Sequence, residues 1–215
     1  MSTGEASNDV VWDLGDVCIR RKRLSDAIDD YHWQRDVELA RLNATAPYSG
    51  SYSNFLDVFE NRRLYPGNSG IFSIETSAGA HIGNVMYYNA DQSDGSAEYG
   101  ITIAHPTFQG AGIGTAVTVA FLRLLWQTTP LRRIELHTLE WNERAIRCFR
   151  KAGFEQSARV LRTGAETLVR MEVRREWWLL WDDEGRYAPF ERVNPRGLEA
   201  SPSEQPKGQR AGHAD

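Results

Sequence analysis

Three glycines within five positions, Gly110, Gly112 and Gly114, stand at the start of an apolar stretch that extends to about Gln127. Backbone without Cβ atoms can turn sharply and approach a ligand closely. The apolar stretch predicts a helix, and the first N–H groups of a helix are unpaired and carry the positive end of its dipole. This turn therefore predicts an anion site, with a phosphorylated ligand as its natural occupant.

Two familiar phosphate loops do not match this turn. The segment lacks the Lys-Ser/Thr pair that ends the P-loop of nucleoside triphosphatases. Its glycine spacing also differs from the Gly-x-Gly-x-x-Gly of dinucleotide-binding folds. A glycine-rich turn can also be a tight strand-to-helix connection without a ligand, so its meaning depends on the rest of the chain.

A second motif, Asn142 to Phe154, follows the glycine turn. In this order the two motifs resemble the GNAT superfamily of acyl-CoA-dependent N-acyltransferases, and the resemblance covers roughly residues 17–175. The first motif matches the Gln/Arg-x-x-Gly-x-Gly/Ala pyrophosphate loop of that family at Gln109, Gly112 and Gly114. The second matches its Asn-x-x-Ala, aromatic and Gly-Phe pattern at these positions: Asn142, Ala145, Phe149, Gly153 and Phe154.

The resemblance implies an α+β fold of the GNAT type. We expect a mixed, mostly antiparallel central sheet of about six to seven strands, flanked by helices and splayed to admit CoA. The expected organisation is a flexible leader at 1–15, an acyltransferase domain at 16–176, a Trp-rich extension at 177–196 and a disordered tail at 197–215. The apolar segment from Trp177 to Trp181 either packs back onto the domain or provides a homodimer contact.

Local patterns place the elements that must position these motifs. Ser25 is expected to cap a helix from Asp26 to about Leu42, and Ser53 a second helix from Asn54 to Arg63. Alternating apolar and polar residues predict strands that share one sheet. The predicted strands are 17–20, 70–75, 81–88, 97–104, 133–138, 156–161 and 167–173, the last two joined over Thr163-Gly164-Ala165.

The activity implied by the resemblance is transfer of an acetyl group from acetyl-CoA to a primary amine by direct attack. Glu98 is the expected general base, and Tyr87 and Tyr99 are expected to line the acceptor site. Tyr88 and His81 are further candidates for lining the cleft. His137 is interpreted as filling a strand position rather than binding a metal. The residues expected to bind CoA lie on the preceding strand, the glycine turn and the second motif: Ile101, Thr102, Ile103, Gln109, Gly110, Ala111, Gly112, Ile113, Gly114, Thr115, Asn142 and Phe149.

Three residues of the second motif need separate interpretation. Many family members have a Tyr at the position of Phe149, as the acid that protonates the leaving thiolate, and Phe cannot do this. Either water or another residue must then help the thiolate to leave. Asn142 either hydrogen-bonds the pantetheine arm or caps the helix. Cys148 is interpreted as a core residue rather than a nucleophile.

Composition restricts the class of protein. The chain has 215 residues, which suits one domain with tails, and its two cysteines cannot form a disulfide framework, so a reducing cytoplasm is expected. We expect no signal peptide, no membrane span and no metal site. We also expect no nucleic-acid partner, since the chain has a net charge of −4 and no basic stripe.

The two halves of the chain differ in charge. Residues 1–108 have a net charge of −7 and residues 109–215 one of +3. This split suits an anionic donor and a cationic amine acceptor, although solvated surface charge explains it equally well. A small-molecule amine is the preferred acceptor. The alternatives are a protein N-terminal amine, or a non-catalytic acyl-CoA sensor or interaction module, which Phe149 favours.

Overall fold

A computed structural model describes residues 9–64, 66–161 and 166–192. Within these residues eight strands form one sheet and six α-helices cover it. The strands are β1 Val10–Asp13, β2 Val17–Arg21, β3 Gly70–Thr76, β4 His81–Asp91, β5 Ser96–Ile103, β6 Arg133–Leu139, β7 Glu155–Leu161 and β8 Thr167–Arg174. The helices are α1 Ala27–Arg35, α2 Val37–Leu42, α3 Tyr52–Leu64, α4 Ile113–Thr128, α5 Glu143–Lys151 and α6 Arg175–Asp183.

The strand order is β1-β2-β3-β4-β5-β6-β8-β7, and every neighbouring pair is antiparallel except β5 and β6. This is the mixed, mostly antiparallel α+β sheet expected from the sequence, with one strand more than the upper estimate. The additional strand is β1, which lies in the segment predicted to be a flexible leader. Val11 and Trp12 of β1 pack against the core, and this burial explains why the segment forms a strand and not a flexible leader.

The helical segment after β2 differs in detail from its prediction. The predicted single helix from Asp26 to Leu42 is two helices, because Asp36 adopts extended backbone (φ −68°, ψ 123°) between α1 and α2. The Asp36 side chain accepts a hydrogen bond from the Leu39 N–H at 2.8 Å and so caps α2. Ser51, and not Ser53, caps α3 by accepting from the Asn54 N–H.

Helix α4 forms the centre of the main core. Ile113, Ala116, Val117 and Ala120 are buried as the helical spacing predicts, and Phe121 and Trp126 are buried as well. This helix packs on the face of the sheet that carries Tyr99, whose hydroxyl is 2.8 Å from the Thr118 hydroxyl. Residues on almost every side of α4 are buried, so the helix is held firmly in the core. Its N-terminus follows the short segment 104–112 after β5.

The Trp-rich segment packs back onto the domain as α6. Trp178 is fully buried, stacks on Tyr187 at 4.6 Å between ring centroids and donates to the Ala152 carbonyl at 2.9 Å. The expected tail at 197–215 and the hairpin turn at 163–165 lie outside the described residues, as do residues 1–8 of the expected leader. No helix in the described ranges is both long and apolar enough to cross a membrane.

Candidate active site

A gap opens in the sheet between its two parallel strands. β5 and β6 are paired only where Ser96, Ala97 and Glu98 lie beside residues 133–135. Beyond Glu98, β5 continues along β4 as far as Ile103, whereas β6 continues along β8 as far as Leu139. The two strands therefore diverge, and their unpaired edges can receive a ligand between them. This is the splay that the family resemblance implied.

A cavity of about 920 Å³ occupies the gap and extends to both faces of the sheet. Its wall includes the glycine turn and the start of α4, and it also includes the aromatic side chains of Trp33, Tyr48 and Tyr88. Ten of the twelve residues expected to bind CoA line it: Ile101, Thr102, Ile103, Gln109, Gly110, Gly112, Gly114, Thr115, Asn142 and Phe149. Ala111 and Ile113 do not line the cavity. If they bind CoA, they do so through backbone N–H groups rather than side chains.

The glycine turn has the backbone that an anion site requires. Gly110 and Gly112 have φ values of +82° and +84°, and Gly112 caps α4 without any side-chain hydrogen bond. Within the described part of the chain, no acceptor is found for the N–H groups of residues 110–114, whereas the Thr115 and Ala116 N–H groups bond to the Gly112 carbonyl. Unpaired N–H groups at a helix N-terminus fit the pyrophosphate of CoA.

Side chains of α5 make the same end of the cavity positive. Arg144, Arg147 and Lys151 all line it. Arg144 donates to the Gln109 side-chain oxygen at 2.8 Å, and the Gln109 amide donates to the Ile103 carbonyl at 2.9 Å. Gln109 therefore joins the end of β5 to α5 and holds the glycine turn between them.

The second motif is placed along the cavity wall. The Asn142 side-chain oxygen accepts from the Ala145 N–H at 3.2 Å, which caps α5 and leaves its amide NH₂ as a donor. Phe149 is buried, and its ring contacts Tyr99 and Phe154 edge to face at 6.1 and 6.0 Å. Burial raises the pKa of the Cys148 thiol, which keeps it protonated and unreactive.

Glu98 lies beside the cavity but is not among the residues that line it. Its Oε1 accepts from the Asn89 side-chain amide at 2.8 Å, and its Oε2 is 3.7 Å from Nδ1 of His137. Burial, together with the Glu98 carboxylate, raises the pKa of Tyr88. Its neighbours Tyr88 and His137 do line the cavity, so they lie between Glu98 and the cavity.

The two tyrosines expected to line the acceptor site differ in position. Tyr99 lines the cavity, but burial raises the pKa of its hydroxyl well above the usual value, and the hydroxyl is engaged by Thr118. Tyr87 is not on the cavity wall, because its ring faces α4 and packs on Phe121 at 6.5 Å. Tyr88, one residue later on β4, points to the opposite face and occupies the wall instead.

Two buried carboxylates of the acidic first half are paired with buried cations. Asp30 accepts from Lys22 at 2.6 Å and from the Asn84 amide at 2.7 Å, and burial lowers the pKa of Lys22. Asp26 is held by Arg20 through two hydrogen bonds. These carboxylates therefore stabilise the packing of α1 on the sheet and do not form a free acidic wall for a cation.

His137 is the main site residue that sequence reasoning missed. Its position relative to Glu98 depends on the register of β5 and β6, which places Glu98 beside Glu135. These strands are separated by the whole of α4, so no local pattern relates them. In the described residues there is no group of three or more His, Cys, Asp or Glu side chains that could hold a metal ion.

Comparison with solved structures shows the same fold. The spermidine N-acetyltransferase of Vibrio cholerae, in complex with CoA and spermine, superposes with a TM-score of 0.69 and 20% identity, over 76% of this chain and 98% of that one. The aminoglycoside acetyltransferase AAC(6')-Ib in complex with coenzyme A has a TM-score of 0.64 and 21% identity, over 76% and 98% of the two chains.

Sequence comparison identifies the family. Human alpha/beta-tubulin-N-acetyltransferase 9 is 29% identical over 145 residues, 60% of this chain and 67% of that protein. The kanamycin resistance protein of Rhizobium radiobacter is 30% identical over 73 residues, 34% of this chain and 68% of that protein. The acetyltransferase (GNAT) domain model matches residues 16–155, which is more than half of the chain. The protein therefore belongs to the GNAT family of acetyltransferases and is an acyltransferase.

Proposed function

We propose that this acyltransferase moves the acetyl group of acetyl-CoA to a primary amine of a small molecule. The observation that carries the proposal is the single cavity that joins the anion-binding turn at Gly110–Gly114 to the opposite face of the sheet. A donor held at one end and an acceptor entering from the other would meet in the gap between β5 and β6. Direct transfer needs no covalent intermediate with the enzyme.

The donor end of the cavity suits acetyl-CoA. Backbone N–H groups of residues 110–114 would bind the pyrophosphate, and the unpaired edge of β5 from Ile101 to Ile103 would hydrogen-bond the pantetheine arm. Asn142 lines the same cavity. When bound, acetyl-CoA supplies an activated acetyl group as a thioester, and the gap holds it where an amine can approach.

The acceptor end suits an amine-bearing ligand of modest size. Tyr48 and Tyr88 give it aromatic walls, and aromatic faces attract ammonium groups. The solved relatives named above include complexes with spermine and act on small amines by their names. Before it can attack, the amine must lose a proton, and Glu98 with its neighbours is the proposed base.

A protein N-terminal amine is the second candidate acceptor, favoured by the 29% identity to a human tubulin N-acetyltransferase. A non-catalytic acyl-CoA sensor is the third candidate, and Phe149 favours it because this residue has no proton to give to the leaving thiolate. We propose a reducing cytoplasm as the setting, in keeping with the free cysteines Cys18 and Cys148. Homodimer formation through the exposed side of α6 stays a prediction.

An acceptor screen tests the proposed function. Purified protein and acetyl-CoA are mixed with polyamines, aminoglycosides and peptides with free N-termini, and released thiol is measured beside the mass of the product. We expect turnover with at least one small amine, and initial-rate plots that intersect because donor and acceptor must be bound together. Turnover with peptides alone would replace the first candidate by the second. Acetyl-CoA binding without turnover for any amine would favour the sensor.

A further inference from the structure

His137 lies on the cavity wall where β6 has already separated from β5. Its side chain is 34% exposed, so substrate and solvent can reach the ring. The neighbouring Glu98 carboxylate does not line the cavity. This arrangement separates the group that can touch an acceptor from the group that carries the negative charge.

We infer that His137 is the catalytic residue that takes the proton from the acceptor amine, and that Glu98 is a positioning residue acting through it. The inference rests on the proposed function, which it deepens by assigning the base. It changes the role expected of Glu98 from direct base to partner of the imidazole.

The distances favour this division of roles. Oε2 of Glu98 is 3.7 Å from Nδ1 of His137, a charge-pair distance rather than a hydrogen bond in this state. A carboxylate on that side favours the tautomer with the proton on Nδ1 and stabilises the imidazolium that forms later. Nε2 then keeps its lone pair, and none of the described residues hydrogen-bonds to it.

The Glu98 carboxylate is itself held in place. Asn89 donates to its Oε1 at 2.8 Å, and Asn89 has a φ of +51°, in the left-handed region that Asn adopts more readily than most residues. Glu98 is therefore fixed at one oxygen, and its other oxygen faces the imidazole. This is the geometry of a residue that orients a neighbour.

Other charged groups around the imidazole are accounted for. Arg170 on β8 lies opposite His137 in the strand register but forms an ion pair with Glu135. The titratable or charged groups that face this region from β4, β5, β6 and β8 are Tyr88, Glu98, Glu135, Arg170 and Glu172. Among them Glu98 is the carboxylate that faces His137 and has no cationic ion-pair partner in the described residues.

The reaction balances with one proton released. The acceptor arrives as an ammonium ion, and Nε2 of His137 takes one of its protons. The nitrogen lone pair of the neutral amine then attacks the thioester carbon, so an N–C bond forms and the C–S bond breaks, with the electron pair leaving on sulfur. The second proton lost by nitrogen balances the thiolate as CoA thiol. The proton held by His137 goes to solvent.

Four variants test the assignment with an amine that the wild type acetylates: His137→Gln, Glu98→Gln, the double variant, and His32→Gln as a control at an exposed histidine on α1 that does not line the cavity. His137→Gln should lower kcat about 100-fold or more, the range for loss of a general base, with little change in KM for acetyl-CoA. Glu98→Gln should lower kcat about 10-fold, as expected when a residue that orients a catalytic group is lost. The double variant should be no worse than His137→Gln alone, because residues that act as a unit are not additive.

The pH profile separates a catalytic from a structural effect. The profile of kcat/KM reports the essential base of the free enzyme, so the wild-type profile should have a rising limb that His137→Gln removes and His32→Gln keeps. Glu98→Gln should keep this limb with a lower plateau. His137→Asn gives a second variant if the Gln variant is poorly folded, and circular dichroism and acetyl-CoA binding check both.

Failure of this inference and failure of the proposed function would give different results. Turnover by His137→Gln equal to that of the wild type overturns this inference and leaves the proposed function standing. Loss of activity in Glu98→Gln alone, with His137→Gln active, would assign the base to Glu98 directly and overturn the inference too. Absence of wild-type turnover with every amine would overturn the proposed function, and with it the basis of this assignment.

Discussion

At the scale of single residues, the donor end depends on backbone conformation more than on side-chain chemistry. Gly112 combines a φ of +84° with the N-cap position of α4 and has no atom within 4 Å of the place where a Cβ would lie. Open space at that place is what a bound pyrophosphate needs. A side chain would be strained there and would also fill space beside the N–H groups that we propose for the anion.

Gly112→Ala should therefore weaken CoA binding beyond its effect on stability. Gly185 is a matched control, since its φ is +80° and the space around it is equally open, but it lies away from the cavity. Both Ala variants should lose roughly 1–2 kcal/mol of stability, seen as similar decreases in Tm. Only Gly112→Ala should raise the Kd for CoA in calorimetry. An equal Kd for both variants would mean that the turn does not hold the donor.

At the scale of elements, α6 supports the end of α5 from behind. Trp178 donates to the carbonyl of Ala152, the residue just after α5, and Tyr187 stacks on the Trp178 ring. Gly153 has a φ of +98° at this point, and a Cβ there would lie 2.2 Å from the Tyr187 oxygen. The C-terminal segment is thus part of the packing that holds the second motif in place.

Trp178→Ala should cost roughly 3–5 kcal/mol, the usual range for removing a buried Trp. Trp177 provides the comparison, because it lies on the same helix but is 53% exposed, whereas Trp178 is fully buried. We expect Trp177→Ala to change the free energy of unfolding by no more than about 0.5 kcal/mol. Urea denaturation measures both. Similar losses in the two variants would show that α6 does not depend on the buried ring.

At the scale of the whole molecule, buried ion pairs join α1 to the sheet. Asp26 accepts from both Arg20 Nη atoms at 2.8 and 2.9 Å, from the Arg23 N–H and from the Ser73 hydroxyl. Burial alone would raise the pKa of Asp26, but the hydrogen bonds outweigh it and hold this pKa well below the usual range. The ionised carboxylate is therefore favoured by folding.

This depressed pKa makes part of the stability dependent on pH. An unfolded Asp has a pKa of about 3.9, so the Asp26 contribution is fully present above that value and is lost as pH falls from there toward the lower folded pKa. Asp26→Asn should lose roughly 3–5 kcal/mol at pH 7, because Arg20 is left buried without this partner. The difference in the free energy of unfolding between wild type and Asp26→Asn should become smaller below about pH 4.

Denaturant unfolding at pH 7 and pH 3 checks this prediction. Glu38→Gln is the control, since the Glu38–Arg41 pair is exposed on α2 and should contribute no measurable stability. A constant difference between wild type and Asp26→Asn across this pH range would contradict the assigned role of Asp26.

The sequence by itself determined the family, the α+β class and the glycine turn, and it predicts most of the proposed donor site. These features are local: each is written in contiguous residues such as Gln109 to Gly114 or Asn142 to Phe154, whose turns and caps follow from backbone sterics. Most strands could also be predicted, because alternation along a strand is local. The strand at Val10–Asp13 was not predicted because packing of Val11 and Trp12 against the core decided it, and the break at Asp36 was missed although its cap on α2 is local.

Only the tertiary structure decided what faces the acceptor. The register of β5 against β6 set Glu98 beside Glu135 and brought His137 to the cavity, and the strand pleat placed Tyr88 there instead of Tyr87. The same structure paired Asp26 and Asp30 with Arg20 and Lys22, so these two carboxylates are not free to bind a cationic ligand. These relations depend on contacts between residues far apart in the chain, which no local pattern records.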